Sequence, residues 1–414
     1  MVKKNLFNKV SFFLIYLYIP SIIFSNALSN ILLLIFSFFS FYLILKNRIQ
    51  IPTWMVYFII FIFFYFFHPS NFKEFDLEKL IKIFFLIRFP LFVLLILYLA
   101  DKEDNRKYFK IIFKIIFLFL VLLSIDIIYQ FIFKIDLLGY KPGAWDVNIL
   151  DYKRYSGFFN DEYIGGAYLY LNSCLVLYLF LKDKLLLKYG FLLVAISLIL
   201  VATIMSGERV ALFKLSLMIM ISAFFLLPVF KGKKIYLIIM FSLATMFVLN
   251  NDTLSRRYID STITEIGNFE NIKNNSYHYL HYKKALDIFK DNPVMGGGYK
   301  SFPLLCNAYD NKQYEAESRK ATSACSTHPH NMFIQILSSG GLVAIILFLL
   351  FITKLITHLL NDKNYLLIVF LIIYFMPFIP SGSIFTSWIN FNFWLIIGLG
   401  LIFDKVYKVQ KLNS

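Results

Sequence analysis

Charge is what this sequence lacks most. Only 16% of its 414 residues are Asp, Glu, Lys or Arg, against about 25% in a soluble globular domain. With 59% hydrophobic residues and a mean hydropathy of +0.69, the chain has more apolar side chain than a globular interior hides, so a soluble enzyme is excluded. Cysteine is scarce as well, at three residues. Cys174 stands in an apolar run and reads as a small packing residue. Cys306 and Cys325 share a long polar segment and are able to pair if it faces an oxidising compartment. No internal repeat, coiled coil or low-complexity linker breaks the pattern. No nucleic-acid-binding signature accompanies the net charge of +16, so the basic excess reads as membrane topology rather than as a nucleic-acid surface.

What is present is apolar helix. Crossing a hydrocarbon core takes about 20 apolar residues, and runs of that kind lie near 11–25, 30–46, 53–68, 80–100, 111–134, 164–181, 189–206, 209–230, 235–250, 331–357, 365–380 and 384–403. The expected fold is all-α and polytopic, with about twelve transmembrane helices. The first run follows Lys3, Lys4 and Lys9 as a signal peptide would, but no small-residue cleavage site follows, so it reads as a retained anchor. Basic residues then recur on one side: Lys46 and Arg48; Lys102, Arg106, Lys107 and Lys110; Lys182, Lys184 and Lys188; Lys231, Lys233 and Lys234; Lys405, Lys408 and Lys411. Counting spans puts all of them, and both termini, in the cytoplasm. The chain divides into a membrane part at 1–250, a non-cytoplasmic loop at 251–330 and a second membrane part at 331–414. Within the loop, Tyr279, Tyr282, Leu286 and Phe289 recur at helical spacing from Tyr277 to Asp291, ahead of Pro293, and predict an amphipathic helix.

Polar residues gather on the non-cytoplasmic side in three clusters. The first runs from Arg154 through Gly157 and Phe158 to Asp161 and Glu162; the second is Ser206-Gly207-Glu208-Arg209; the third is Thr327-His328-Pro329-His330-Asn331. Each has a bland reading. An arginine at a helix end snorkels to headgroups, Glu208 neutralises its neighbour, and a histidine at a helix start is a cap or a solvated residue. Their joint placement at one membrane face raises the functional reading. Gly296-Gly297-Gly298 is no phosphate-binding P-loop, because neither a preceding strand nor a Gly-Lys-Ser/Thr is present; a tight turn closing the loop helix is the simpler reading. No Asp-x-Asp stands beside His328-Pro329-His330, so neither a metal nor a cofactor is expected.

Pro293-Val-Met-Gly296-Gly297-Gly298-Tyr-Lys-Ser-Phe302, followed by the long loop, His330-Asn331 and then Gly340-Gly341-Leu342, resembles the signature of the O-antigen ligase and polymerase superfamily. The Arg154-x-x-Gly157-Phe158 and Ser206-Gly207-x-Arg209 clusters resemble family features in the expected order, and the resemblance covers about residues 150–345. Ala344 stands where the family's last glycine falls. The arginine that precedes a tryptophan in the family's loop helix is replaced, its positions here being His278 and Tyr282, so His278, Arg256 or Arg257 takes its place.

The resemblance implies a glycosyltransferase that moves a glycan from undecaprenyl pyrophosphate to a saccharide hydroxyl at the periplasmic face of the bacterial inner membrane. The acceptor is lipid A-core in a ligase and another lipid-linked glycan in a polymerase, and the late position of the long loop favours the ligase. His330 is then the expected general base. Arg209 and Arg154 bind the pyrophosphate, and Asn331 orients His330 or a sugar hydroxyl. His328 and His278 complete the expected substrate-binding set. Displacement at the anomeric carbon inverts its configuration without a metal. The competing class is a lipid-linked sugar transporter; Arg88, inside an otherwise apolar span, is the main feature in its favour.

Overall fold

A computed structural model describes residues 2–73, 75–144, 153–160, 162–182, 189–226, 234–266, 277–306 and 325–407. Asp161 and the loop lysines 184, 188, 231, 233, 408 and 411 lie outside the described residues.

The apolar runs fold as helices because a chain in hydrocarbon must satisfy every peptide group internally. α1 (Val2–Phe24), α2 (Asn26–Leu45) and α3 (Thr53–Phe66) come first. A short amphipathic α4 (Leu77–Phe84) passes through one tight turn into α5 (Arg88–Ala100), and α6 (Arg106–Phe133) follows. α7 (Gly165–Lys182), α8 (Tyr189–Met205), α9 (Arg209–Ile221) and α10 (Lys234–Leu249) lead to the long polar segment. That segment contains α11 (Tyr277–Asp291), after which α12 (Met332–Asn361), α13 (Tyr365–Tyr374) and α14 (Ser387–Tyr407) complete the described chain. Several starts are written in the sequence as caps. Ser25 accepts from Leu28 N at 3.2 Å and Asp76 from Lys79 N at 3.0 Å.

The protein is all-α and polytopic. Among the described residues, six helices are long and apolar enough to cross a membrane, or seven if the pair Ile235–Leu249 and Asp252–Ile263, bent by 98°, counts as one. Other expected spans are shorter apolar helices: Thr53–Phe66, Gly165–Leu179, Val194–Met205 and Tyr365–Tyr374. A 14-residue helix such as α3 covers about 21 Å at the helical rise of ~1.5 Å per residue, less than the hydrocarbon thickness. Irregular backbone at its ends is tolerated where protein buries it.

α14 is the most enclosed of the long helices, with 78% of its apolar window buried, and it packs along α5 and α7. Trp394 on α14 stacks on Trp54 of α3 at 6.3 Å and meets Phe58 edge-on at 4.7 Å. Between lipid-embedded helices, close packing and polar links hold the structure, since lipid is as apolar as leucine. One such link is Asn172 Nδ2 donating to Asn392 Oδ1 at 2.9 Å, joining α7 to α14; buried amide pairs of this kind contribute about 1 kcal/mol.

The loop helix has the limits its sequence pattern gives, but it packs on a different face. Leu280, His281, Lys284, Ala285 and Ile288 are the buried positions, whereas Leu286 is 37% exposed. Its neighbour α12 and the pairing of Cys306 with Cys325 explain the choice. The disulfide joins Phe302, Ala285 and Ile288 in a small separate core, and Lys284 Nζ donates to Cys306 O at 3.4 Å. The i, i+3, i+4, i+7 stripe that packs therefore carries a histidine and a lysine.

Candidate active site

The two glycine-containing motifs lock together through their backbones. α12 is broken at Gly341, whose φ of 62° and ψ of −157° leave the helix. The peptide groups this frees are taken by the segment from Pro293 to Gly298. Leu342 N donates to Pro293 O at 2.8 Å and Val343 N to Val294 O at 3.2 Å, while Gly297 N donates to Ser338 O at 2.9 Å and Gly298 N to Ser339 O at 2.7 Å. The approach leaves no room for side chains. A Cβ on Gly341 would lie 2.3 Å from Val294 O, and one on Gly296 (φ 73°) would lie 2.4 Å from Gly340 N. α3 clamps the junction from the other side through Tyr65 Oη and Ser339 Oγ at 2.8 Å, and the following loop does so through His68 Nε2 and Met295 O at 2.8 Å. Gly341→Ala is accordingly expected to destabilise the protein by about 2–4 kcal/mol, from a left-handed backbone plus a clash. Thermal unfolding in detergent checks it, and an unchanged melting temperature would contradict the interlock.

The junction positions the start of α12, where His330 and Asn331 stand. Asn331 is the N-cap: its Oδ1 accepts from Phe333 N at 3.0 Å and Ile334 N at 3.1 Å, and its Nδ2 donates to Pro377 O at 2.6 Å. His330 precedes it in the left-handed region at φ 54°, a conformation costing a non-glycine residue about 1–2 kcal/mol. Ser381 fixes that turn from both sides, its N–H donating to His330 O at 2.8 Å and its Oγ accepting from Met332 N at 2.8 Å. A non-glycine residue held this way marks a place where orientation matters.

Three further imidazoles surround His330. The ring of His328 lies 4.2 Å away, that of His281 stacks at 5.2 Å and 27°, and that of His278 meets it at 5.4 Å and 72°. Burial, followed by His328, His278, His281 and Arg154, holds the His330 imidazole down at about 3. His328 is held down to about 4 by burial, His281 and His278. Both rings are therefore neutral at pH 7 and able to accept protons. Among the described residues, no three His, Cys, Asp or Glu side chains are grouped to hold a metal ion.

The arginines form the other half. Arg154 lies in a two-residue antiparallel ladder, opposite Gly143, and its guanidinium sits over the Tyr163 ring at 5.6 Å. Tyr155 N donates to Ser206 O at 3.3 Å, which joins the first cluster to the second. Glu208 is placed by the start of α7, accepting from Gly166 N at 2.7 Å and Ala167 N at 3.1 Å. Burial lifts its carboxyl to about 7, although Arg154, these two N–H groups and Arg257 pull it back. Arg209, first residue of α9, donates to Thr262 Oγ1 at 3.2 Å. Arg257 donates from Nε to Gly207 O at 2.9 Å. Arg154 feels Glu208 and Arg209 after its own burial, and its charge in turn reaches His330. It is the electrical link between the two halves.

Arg154, Arg209, His278, His328, His330 and Asn331 thus belong to one linked group, the arginines joined to the imidazoles through the charge of Arg154 and Asn331 through its capping role. Of the three candidates for the missing loop arginine, His278 joins the imidazole group and Arg257 joins the Ser206–Glu208 turn, while Arg256 is exposed. His281 is the site residue that the sequence does not single out, and Arg257 enters there only as an alternative for the loop arginine. The His278-x-x-His281 spacing was the available signal, since it puts both rings on one helix face.

The O-antigen ligase family matches residues 173–349. That stretch contains Arg209, Arg257, all four clustered imidazoles and the interlocked glycines; Arg154 lies ahead of it. No curated protein matches the chain.

Proposed function

We propose, from the premise that residues 173–349 place this chain in the O-antigen ligase and polymerase superfamily, that it transfers a glycan from undecaprenyl pyrophosphate to a saccharide hydroxyl. The observation that carries the reading is the neutral His330, pinned in a left-handed turn beside three imidazoles and within the field of Arg154. The reaction needs a proton acceptor next to a place for developing negative charge.

The acceptor hydroxyl gives its proton to His330 as its oxygen attacks the anomeric carbon. The bond from that carbon to the pyrophosphate oxygen breaks, and lipid pyrophosphate leaves with the electron pair. Attack opposite the leaving group inverts the anomeric configuration. Arg154 and Arg209 hold the pyrophosphate, and Arg257 braces the turn that presents Arg209. An imidazole titrating near 3 is a weak base, but two negative charges placed beside it raise its proton affinity. Donor binding therefore switches the base on as the donor arrives.

The acceptor we favour is lipid A-core, which makes the protein a ligase of the inner membrane. The Cys306–Cys325 bond supports a loop in an oxidising compartment, and the basic loops support cytoplasmic termini. A deletion strain separates the two family activities: loss of a ligase leaves polymerised glycan unattached, and loss of a polymerase leaves single repeat units attached. Purified protein given lipid-linked glycan and acceptor is expected to keep its full rate in chelator. A rate abolished by chelator and restored by a divalent ion would contradict the metal-free chemistry.

A further inference from the structure

Arg88 is the feature the transfer chemistry leaves unused. It opens α5, inside the apolar stretch Leu77–Ala100, and is only 9% exposed. Its partners are all neutral. Nη1 donates to Phe85 O at 2.7 Å, and Nη2 donates to Asn30 Oδ1 at 2.8 Å and Ser387 Oγ at 3.1 Å. The guanidinium carbon lies 4.5 Å from the centre of the Phe89 ring, and Nε is buried with no partner among the described residues. An arginine keeps its charge in a protein. Three neutral acceptors orient a guanidinium but do not cancel a unit charge in a low-dielectric setting. A cation kept at such a depth with no carboxylate bonded to it among the described residues has the character of a ligand site rather than of a structural ion pair.

Its surroundings indicate which ligand. Ser387 begins α14 and Asn30 lies in the first turns of α2, so Arg88 sits near the helix ends that share a face with His330. Tyr299, which follows the interlocked glycines, is close enough for Arg88 to influence its phenol, and its ring packs on Phe385 at 4.7 Å. Next to Tyr299 stands Lys300, held in a left-handed turn at φ 52°, where burial and the charge of Lys82 lower its proton affinity. Lys79 and Lys82 lie on α4, where Glu78 pairs with Lys82 and Asp76 is used as the cap. The same helix exposes Leu77, Ile81 and Phe84, as an interfacial helix does. The basic groups around Arg88 are distinct from the Arg154 group, whose charge reaches His330.

We propose that Arg88, with Tyr299 and Lys300 above it, forms a second anion site that takes the phosphate of the acceptor's lipid headgroup. The assignment to the acceptor rests on the transferase reading, because that reading gives the donor's pyrophosphate to Arg154 and Arg209. The existence of the site does not depend on it. A guanidinium fork with undirected N–H groups suits a phosphate oxygen pair, α4 lies where headgroups lie, and the lysines draw the anion in.

The test is binding, not turnover. Full-length protein in phosphatidylcholine nanodiscs is titrated with lipid A carrying both phosphates, with the same lipid after dephosphorylation, and with inorganic pyrophosphate as competitor. The wild-type protein is expected to bind the phosphorylated lipid at least about tenfold more tightly than the dephosphorylated one, the scale of one charge-assisted hydrogen bond. Arg88→Gln is expected to abolish that preference and Arg209→Ala to retain it. Equal binding of the two lipids by the wild-type protein would overturn the site without relying on any variant. A preference kept by Arg88→Gln would overturn the residue assignment, and complete displacement by inorganic pyrophosphate would overturn the lipid-headgroup assignment. If His330→Gln abolishes transfer while the binding preference is absent, the transferase reading stands and this inference falls.

Discussion

His330→Gln is expected to lower the transfer rate by about 10²–10⁴-fold, the usual contribution of a positioned base, with the melting temperature little changed. The polar replacement keeps a hydrogen-bonding side chain in the turn that Ser381 and the Asn331 cap already hold, so a fold defect is not expected to accompany the loss. The pH profile carries a second, independent signature. A base works when neutral, and its activity is lost as pH falls through its own pKa. In the substrate-free site burial and the neighbouring imidazoles hold His330 at about 3. Once Glu208→Gln removes the carboxyl held at about 7 beside Arg154, kcat/KM, which reports the free enzyme, is therefore expected to stay flat from pH 8 down to about pH 5, where an unperturbed histidine would already be protonated below about 6.5. The corresponding limb in kcat, which reports the loaded site, is expected at higher pH, because bound pyrophosphate raises the base. A kcat/KM that falls with a midpoint near 6.5 would place the base elsewhere, or outside the buried imidazole group.

Arg154→Ala is expected to cost about 10²–10³-fold in kcat/KM, the scale of removing one donor to developing negative charge. Arg154→Lys is expected to recover little of it, since a point charge does not replace a bidentate fork. Deletion of a partly buried cation often strands its anionic partner and unfolds the site. Here Glu208 already sits near 7 and is opposed mainly by burial. Without Arg154 its carboxyl rises further and takes up a proton at neutral pH, so the remaining hydrogen bonds to Gly166 and Ala167 face a neutral group rather than a stranded charge. The defect is therefore expected in catalysis and donor affinity more than in stability. If Arg154 and Arg209 hold one pyrophosphate, as proposed, the double variant should lose less than the product of the two single losses. Strict additivity would show that they serve separate ligands.

The membrane character, the loop helix and the third polar cluster were legible in the sequence because each rests on local chemistry. Apolar run length, the Tyr277–Asp291 periodicity and the His330-Asn331 start of α12 need no knowledge of neighbours. What was not legible depends on which surfaces meet. The loop helix shows two apolar stripes, and only its contact with α12 and the Cys306–Cys325 link select the one that carries His281 and Lys284. Arg257 is one of two adjacent arginines in a polar stretch, and nothing local says that the second one reaches Gly207 O. The break at Gly341 was hidden for the same reason. Ser338, Ser339 and Gly340 weaken the helix locally without fixing where it breaks, and it opens at Gly341 because a segment more than 40 residues earlier, Pro293 to Gly298, takes its peptide groups. The span count was blurred by helices such as α3 and α13, apolar but shorter than the membrane is thick. Arg88 was visible as an anomaly, but its neutral partners were not.

The most direct test of the central claim is a product count in proteoliposomes containing the purified protein, labelled lipid-linked glycan and acceptor. The expected result is that glycan-bearing acceptor and free undecaprenyl pyrophosphate appear in equal amounts, and that neither forms with His330→Gln. Movement of intact lipid-linked glycan between leaflets with no pyrophosphate carrier released would contradict it, and would turn the protein from a transferase into a transporter.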